Sequence, residues 1–128
     1  MSKPLLLIVD DQPSMGELVA DVAEDLGFDT ITTANAKQFQ TAYLESEPLA
    51  IVMDIVMPDM DGNELLEWLA NKNSHTPVVI MSGFEGKYVE LAQMLAVERG
   101  AIVIGTLVKP FLIEELEMLL NEILNSLE

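Results

Sequence analysis

The 128-residue chain contains no cysteine, so disulfides and thiolate metal sites are excluded. Basic residues are scarce: 6 Lys and Arg stand against 22 Asp and Glu, for a formal net charge of −16. A surface this acidic repels phosphate backbones, which argues against direct nucleic-acid binding. Aromatic residues make up only 5% of the chain, so Leu, Ile, Val, Ala and Met must supply the core. No long hydrophobic run is present. The apolar stretch Leu5 to Val9 is too short for a signal peptide or a membrane span, and a soluble, cytoplasmic protein is the default expectation. Against these absences, hydrophobic residues make up 50% of the chain, enough for the core of one domain of this length. The ordered core is expected over about residues 4–126 of a single domain 1–128, with Leu127-Glu128 read as an expression scar.

Apolar runs alternate with helical patterns. Leu5 to Val9 reads as a strand buried on both faces. Pro13 suits a first helical turn, Met15, Leu18, Val19, Val22 and Leu26 repeat at helical spacing, and Gly27 ends that helix. Phe28 to Thr33 forms a second strand, and Asn35 caps a helix carrying Phe39, Ala42 and Tyr43 on one face. Leu49 to Met53 is a third strand. Met57 to Gly62 has turn chemistry and leads into a helix bearing Leu65, Leu66, Trp68 and Leu69. Val78 to Met81 is a fourth strand. Tyr88, Leu91, Ala92 and Leu95 mark a fourth helix, closed by Gly100, and a fifth strand lies within Ile102 to Val108. A last helix spans Leu112 to Leu127. Five β–α units predict a doubly wound α/β domain with a five-stranded parallel sheet and helices on both faces.

In such a sheet, ligands bind beyond the carboxyl ends of the strands. The first strand ends in Asp10-Asp11, the third in Asp54, the fourth in Ser82 and the fifth in Lys109-Pro110. Taken singly, each has an ordinary explanation. An Asp-Asp pair after a strand caps a helix, Ser82-Gly83 makes a turn, and Lys109 is a surface lysine. Together they bring three carboxylates, a hydroxyl and an ammonium to one edge. The carboxylates require a counter-charge, and Mg2+ answers it with oxygen ligation and an affinity for phosphate oxygens. Lys109 adds positive charge, and Asp54, on the central strand, is the candidate nucleophile for phosphoryl transfer.

Four segments carry a family resemblance over nearly the whole chain. They are Ile8-Val9-Asp10-Asp11, Val52 through Gly62, Met81-Ser82-Gly83 and Val108-Lys109-Pro110-Phe111. The sequence resembles response-regulator receiver domains of bacterial two-component signalling, with a flavodoxin-like, chemotaxis-regulator-like fold and strand order 2-1-3-4-5. The resemblance implies that Asp54 accepts a phosphoryl group from a histidine kinase or phosphotransfer protein. It implies Mg2+ bound directly by Asp11, with Asp10 helping, partly through water, and with Asp54 and the backbone carbonyl of Val56 among the ligands. Ser82 and Lys109 would bind the phosphoryl group, Gly83 would leave room for access, and the Lys109–Pro110 bond would be cis. The run Gly105 to Phe111 also resembles receivers that precede cyclic-di-GMP phosphodiesterase (EAL-type) output domains.

One position departs from the family pattern. Receivers carry Tyr or Phe two to three residues before this lysine, and here the place holds Thr106-Leu107. A receiver-like binding module that signals without phosphorylation is therefore the alternative; the intact acidic pair, Asp54, Ser82 and Lys109 argue against it. An Asp-nucleophile phosphatase would use a second Asp two residues on, where this chain has Val56. His75 lies in a polar loop and reads as solvated. In the last helix, Leu112, Ile113, Leu116, Leu119, Leu120, Ile123, Leu124 and Leu127 span an arc of about 140°, with Met118 outside it. Such an arc serves either deep packing on the sheet or a partner surface, and the family's dimer face includes this helix, so a homodimer is one expectation. Two further positions tune the family's site, Val56 and Phe84, two residues after Asp54 and Ser82; both are apolar and neither aligns an attacking water. Slow self-dephosphorylation follows. The measurement is the decay of the purified phosphoprotein, and a half-life of seconds contradicts it.

Overall fold

The computed structural model describes residues 3–55, 62–83, 100 and 102–127. Its strands are β1 (Leu5–Val9), β2 (Asp29–Thr33), β3 (Ala50–Asp54), β4 (Val78–Ser82) and β5 (Val103–Val108). The helices among the described residues are α1 (Pro13–Leu26), α2 (Ala36–Ser46), α3 (Gly62–Asn71) and α4 (Ile113–Ser126). The expected helix around Tyr88 to Leu95 lies outside the described residues, as do Val56, Phe84 and the turn Met57 to Asp61.

All strand pairs are parallel, in the order β2-β1-β3-β4-β5. The expected fold is therefore the observed one. Strand side chains alternate between two faces. Leu7, Val9, Ile51, Met53 and Ile80 pack with Phe39 of α2 and Leu65, Leu66 and Leu69 of α3. Leu6, Ile8, Val52, Val79, Met81 and Leu107 pack with Val19 and Ala23 of α1 and Leu116, Leu120 and Ile123 of α4. Both faces of the central strands are apolar because both are covered.

Local signals set the helix ends. Gly27 adopts φ 109°, the left-handed conformation that glycine takes most readily, and its N–H closes α1 on the carbonyls of Ala23 and Glu24. Asn35 caps α2 by accepting from the Gln38 N–H at 2.9 Å. α1 begins differently from the ordinary explanation of the acidic pair. Its cap residue is Gln12, which makes no side-chain capping bond, so neither Asp10 nor Asp11 serves as the cap.

The last helix is less deeply seated than its apolar arc suggests. Leu116, Leu120 and Ile123 are buried, but Leu112, Ile113 and Leu127 are exposed, Leu112 by 65%. Residues 116 to 124 supply the contacts with the α1 side of the core, and the apolar residues at either end of the arc stay open.

Phe39, Tyr43 and Trp68 form an aromatic group between α2 and α3, with the Tyr43 hydroxyl donating to Ser74 Oγ at 2.8 Å. Phe39 is fully buried at its centre. Replacing it with Ala leaves a cavity, and Phe39→Ala is expected to lower stability by about 3–5 kcal/mol in urea unfolding. A loss below about 1 kcal/mol would show that the group does not hold α2 to the sheet.

Candidate functional site

The site arises from the parallel register. β1 pairs with β3, β3 with β4 and β4 with β5, so the carboxyl ends of these strands lie along one edge. Asp10 follows β1, Asp54 ends β3, Ser82 ends β4 and Lys109 follows β5. The pairing continues past the strands. The Ile55 N–H donates to the Met81 carbonyl at 2.9 Å, and the Lys109 N–H donates to the Ser82 carbonyl at 2.7 Å. These bonds fix the backbone from which the functional side chains project.

Asp10, Asp54 and Ser82 are buried, with exposures of 2%, 4% and 0%. Burying ionised groups is costly unless they are paired. Lys109 provides the pairing: its Nζ lies 2.9 Å from Asp10 Oδ2 and 3.3 Å from Asp54 Oδ2. Asp10 Oδ1 also accepts from the Gln12 N–H at 2.8 Å. Asp11 is exposed at the rim. One ligand atom from each of Asp10, Asp11 and Asp54 can be chosen so that all three lie within 4.8 Å of one another.

Three carboxylates so placed exceed the single lysine in charge, and their all-oxygen donor set fits a hard divalent cation. Burial of Lys109 by itself lowers its pKa. The hydrogen bond that Lys109 donates to Asp10 and the negative charges of Asp54 and Asp10 together outweigh that effect and raise it above its ordinary value.

The sequence therefore located Asp10, Asp11, Asp54, Ser82 and Lys109 correctly at one edge, and the Lys109–Pro110 bond is cis. The Val56 carbonyl lies outside the described residues. Thr106 sits in β5 opposite Ile80. Two supporting residues escaped sequence reasoning. Thr33 Oγ1 donates to the Ile8 carbonyl at 2.7 Å, and the Thr33 carbonyl accepts from the Asp10 N–H at 3.1 Å. Gln12 holds Asp10 through its backbone N–H. A threonine at the end of β2, opposite Val9, is the only signal that pointed to the first; the second is a backbone contact that any residue but proline can make.

A parallel five-stranded sheet with an acidic cluster and a lysine at its carboxyl edge defines a receiver-type domain. The family model for the response regulator receiver domain matches residues 6–121, and the chain belongs to that family. It is 34% identical over 105 residues to a protein-glutamate methylesterase/protein-glutamine glutaminase of Halobacterium salinarum, covering 81% of this chain and 29% of that protein. It is 32% identical over 111 residues to the DNA-binding response regulator MtrA of Mycolicibacterium smegmatis, covering 87% of this chain and 46% of that one. The chain thus spans less than half of these relatives. The receiver domain of Francisella response regulator 1452 superimposes with a TM-score of 0.83 at 27% identity, covering 98% of this chain and 99% of that one. The chemotaxis protein CheY4 of Vibrio cholerae shares the fold, with a TM-score of 0.82 at 24% identity and coverage of 95% and 99%. Among the described residues, no helix is long and apolar enough to cross a membrane.

The lysine bridge has a stability signature. Because its pKa is raised on folding, the charged lysine stabilises the fold fully below its ordinary value of 10.5, and this contribution is lost as pH rises through the folded value. Lys109→Met removes the ammonium that bridges buried Asp10 and Asp54 and is expected to cost about 1–3 kcal/mol. Urea unfolding of parent and variant across pH checks this. The gap should persist through neutral pH and close only in the alkaline range; closure near neutrality contradicts it.

Proposed function

We propose that Asp54 is the phosphoacceptor of a phosphorelay switch. The observation that carries this reading is the burial of Asp54 at the carboxyl end of a central strand, 3.3 Å from Lys109 and clustered with Asp10 and Asp11. A carboxylate oxygen of Asp54 attacks the phosphorus of a phosphohistidine on a histidine kinase or phosphotransfer protein. The P–O bond forms as the P–N bond breaks, and the departing imidazole nitrogen keeps the electron pair and takes a proton from solvent. Such transfer depends on positioning and charge neutralisation. Lys109 supplies a fixed positive charge beside the incoming oxygens, and Ser82 supplies a hydroxyl from the end of the adjacent strand.

Asp10, Asp11 and Asp54 are the side chains suited to hold Mg2+, with the Val56 carbonyl as a further ligand. Bound there, Mg2+ would neutralise negative charge on the transferring group. The protein's own role is to hold the carboxylates together and aim them. The chain acts as a signalling switch rather than a turnover enzyme. Its relatives include proteins named as a methylesterase, a DNA-binding response regulator and a probable transcriptional regulatory protein. Here the readout is a dimer or partner surface, with an EAL-type phosphodiesterase output as one candidate.

The test is incubation with Mg2+ and acetyl phosphate, or with beryllofluoride as a mimic, followed by mass and amide shifts. The parent should form one adduct that requires Mg2+, and Asp54→Asn should form none. No adduct in the parent would favour a binding module that signals without phosphorylation. An undiminished adduct in Asp54→Asn would move the chemistry to another residue.

A further inference from the structure

Asp10 and Asp11 are neighbours in the chain but part company in the fold. Asp10 is buried and faces Lys109, whereas Asp11 is exposed at the rim. Adjacent side chains leave an extended chain on opposite sides, so the direction in which the backbone leaves β1 decides which carboxylate turns inward. That direction is set from β2. Thr33 stands opposite Val9 in the parallel register. Its hydroxyl donates to the Ile8 carbonyl at 2.7 Å, and its own carbonyl accepts from the Asp10 N–H at 3.1 Å. The Ile8 carbonyl belongs to the peptide unit before Val9, and the Asp10 N–H to the one after it. Both planes are therefore tied to one residue, and with them the two backbone rotations at Val9.

The carboxylate beyond is held on both oxygens. Asp10 Oδ1 accepts from the Gln12 N–H at 2.8 Å, and Oδ2 accepts from the Lys109 ammonium at 2.9 Å. Among these bonds, only the Thr33 hydroxyl comes from a side chain outside the charge centre. Thr33 is the buried residue of β2. Burying a hydroxyl costs free energy unless it is bonded, and valine would fill the same space with no hydroxyl to satisfy. What threonine adds at this position is the bond to Ile8. The other threonines of β2 are differently placed: Thr32 is exposed, and Thr30 donates its hydroxyl to Glu24 Oε2 at 2.8 Å.

We propose that Thr33 is a positioning residue for the acidic edge: its hydroxyl holds the end of β1 so that Asp10 turns inward, and the affinity of the edge for Mg2+ depends on that bond. Thr33 acts through Asp10 and takes no part in the chemistry. The proposal deepens the phosphoacceptor reading of Asp54 and rests on it only where adduct formation is measured.

The test compares the whole parent chain with Thr33→Val, Thr33→Ser and Thr32→Val. In amide NMR of the metal-free protein, Thr33→Val should move the Gln12 resonance, which reports the Asp10 carboxylate. Thr33→Ser keeps the hydroxyl and Thr32→Val loses an exposed one, so both should leave Gln12 in place. Titrated with Mg2+ alone, Thr33→Val should bind about three- to tenfold more weakly than the parent, the effect of one lost hydrogen bond, while the other two variants bind as the parent does. With acetyl phosphate, Thr33→Val should form the adduct slowly at low Mg2+ and at the parental rate once Mg2+ saturates. Parental Mg2+ affinity or an unmoved Gln12 amide in Thr33→Val overturns the proposal. So does an equal loss of affinity in Thr33→Ser or Thr32→Val, a rate that stays low at saturating Mg2+, or a parent that takes up no Mg2+. A parent that binds Mg2+ and forms no adduct strikes the phosphoacceptor reading alone, because the Gln12 shift and the Mg2+ affinity judge Thr33 without it.

Discussion

The charge balance around Lys109 is the constraint on which the site depends. Two buried carboxylates, Asp10 and Asp54, share one ammonium at 2.9 and 3.3 Å. Neither carboxylate could stay buried and ionised cheaply without it. The lysine reaches both only because β4 and β5 extend the sheet beyond β3 with all strands running the same way. Two negative charges remain in excess of the ammonium when Asp11 is counted, and an all-oxygen edge of that charge suits a divalent cation.

The two apolar layers serve this edge. α2 and α3 cover one face and α1 and α4 the other, so the central strands are dry on both sides and their ends are held in register. Polar contacts then refine the placement. Thr33 and Gln12 secure Asp10 through the backbone, and the Lys109 N–H on the Ser82 carbonyl keeps the last two strand ends together. In the layer formed by α1 and α4, Leu119 lies against β5 in the space that a side chain at residue 105 would otherwise enter.

Much of this was legible in the sequence. The apolar run Leu5 to Val9, the capping Asn35 and the closing Gly27 each express a local rule, and each appears as expected. The strand-end residues were legible because parallel topology gathers them whatever their separation in the chain. Strand limits differ by a residue, as at Ala50–Asp54, because pairing with a neighbour decides where a strand stops. Which of Asp10 and Asp11 faces Lys109 was hidden, since only the folded backbone turns Asp10 to the lysine and leaves Asp11 exposed. The depth of α4 was left open, because periodicity records an apolar arc without recording which of its residues are covered: Leu116, Leu120 and Ile123 are buried, while Leu112, Ile113 and Leu127 are exposed. The bulge at Ile104 and the seat of Leu119 depend on register, which no single-strand pattern encodes.

The strand order also fixes when the site can exist. Asp10, Asp11 and Asp54 all leave the ribosome before Lys109, which follows β5, the last strand made and an edge of the sheet. An emerging chain with only the first four strands holds three carboxylates without their lysine. Its acidic edge is self-repelling until the final strand docks. The charge centre is thus completed late in biosynthesis, only when the edge strand has joined the sheet.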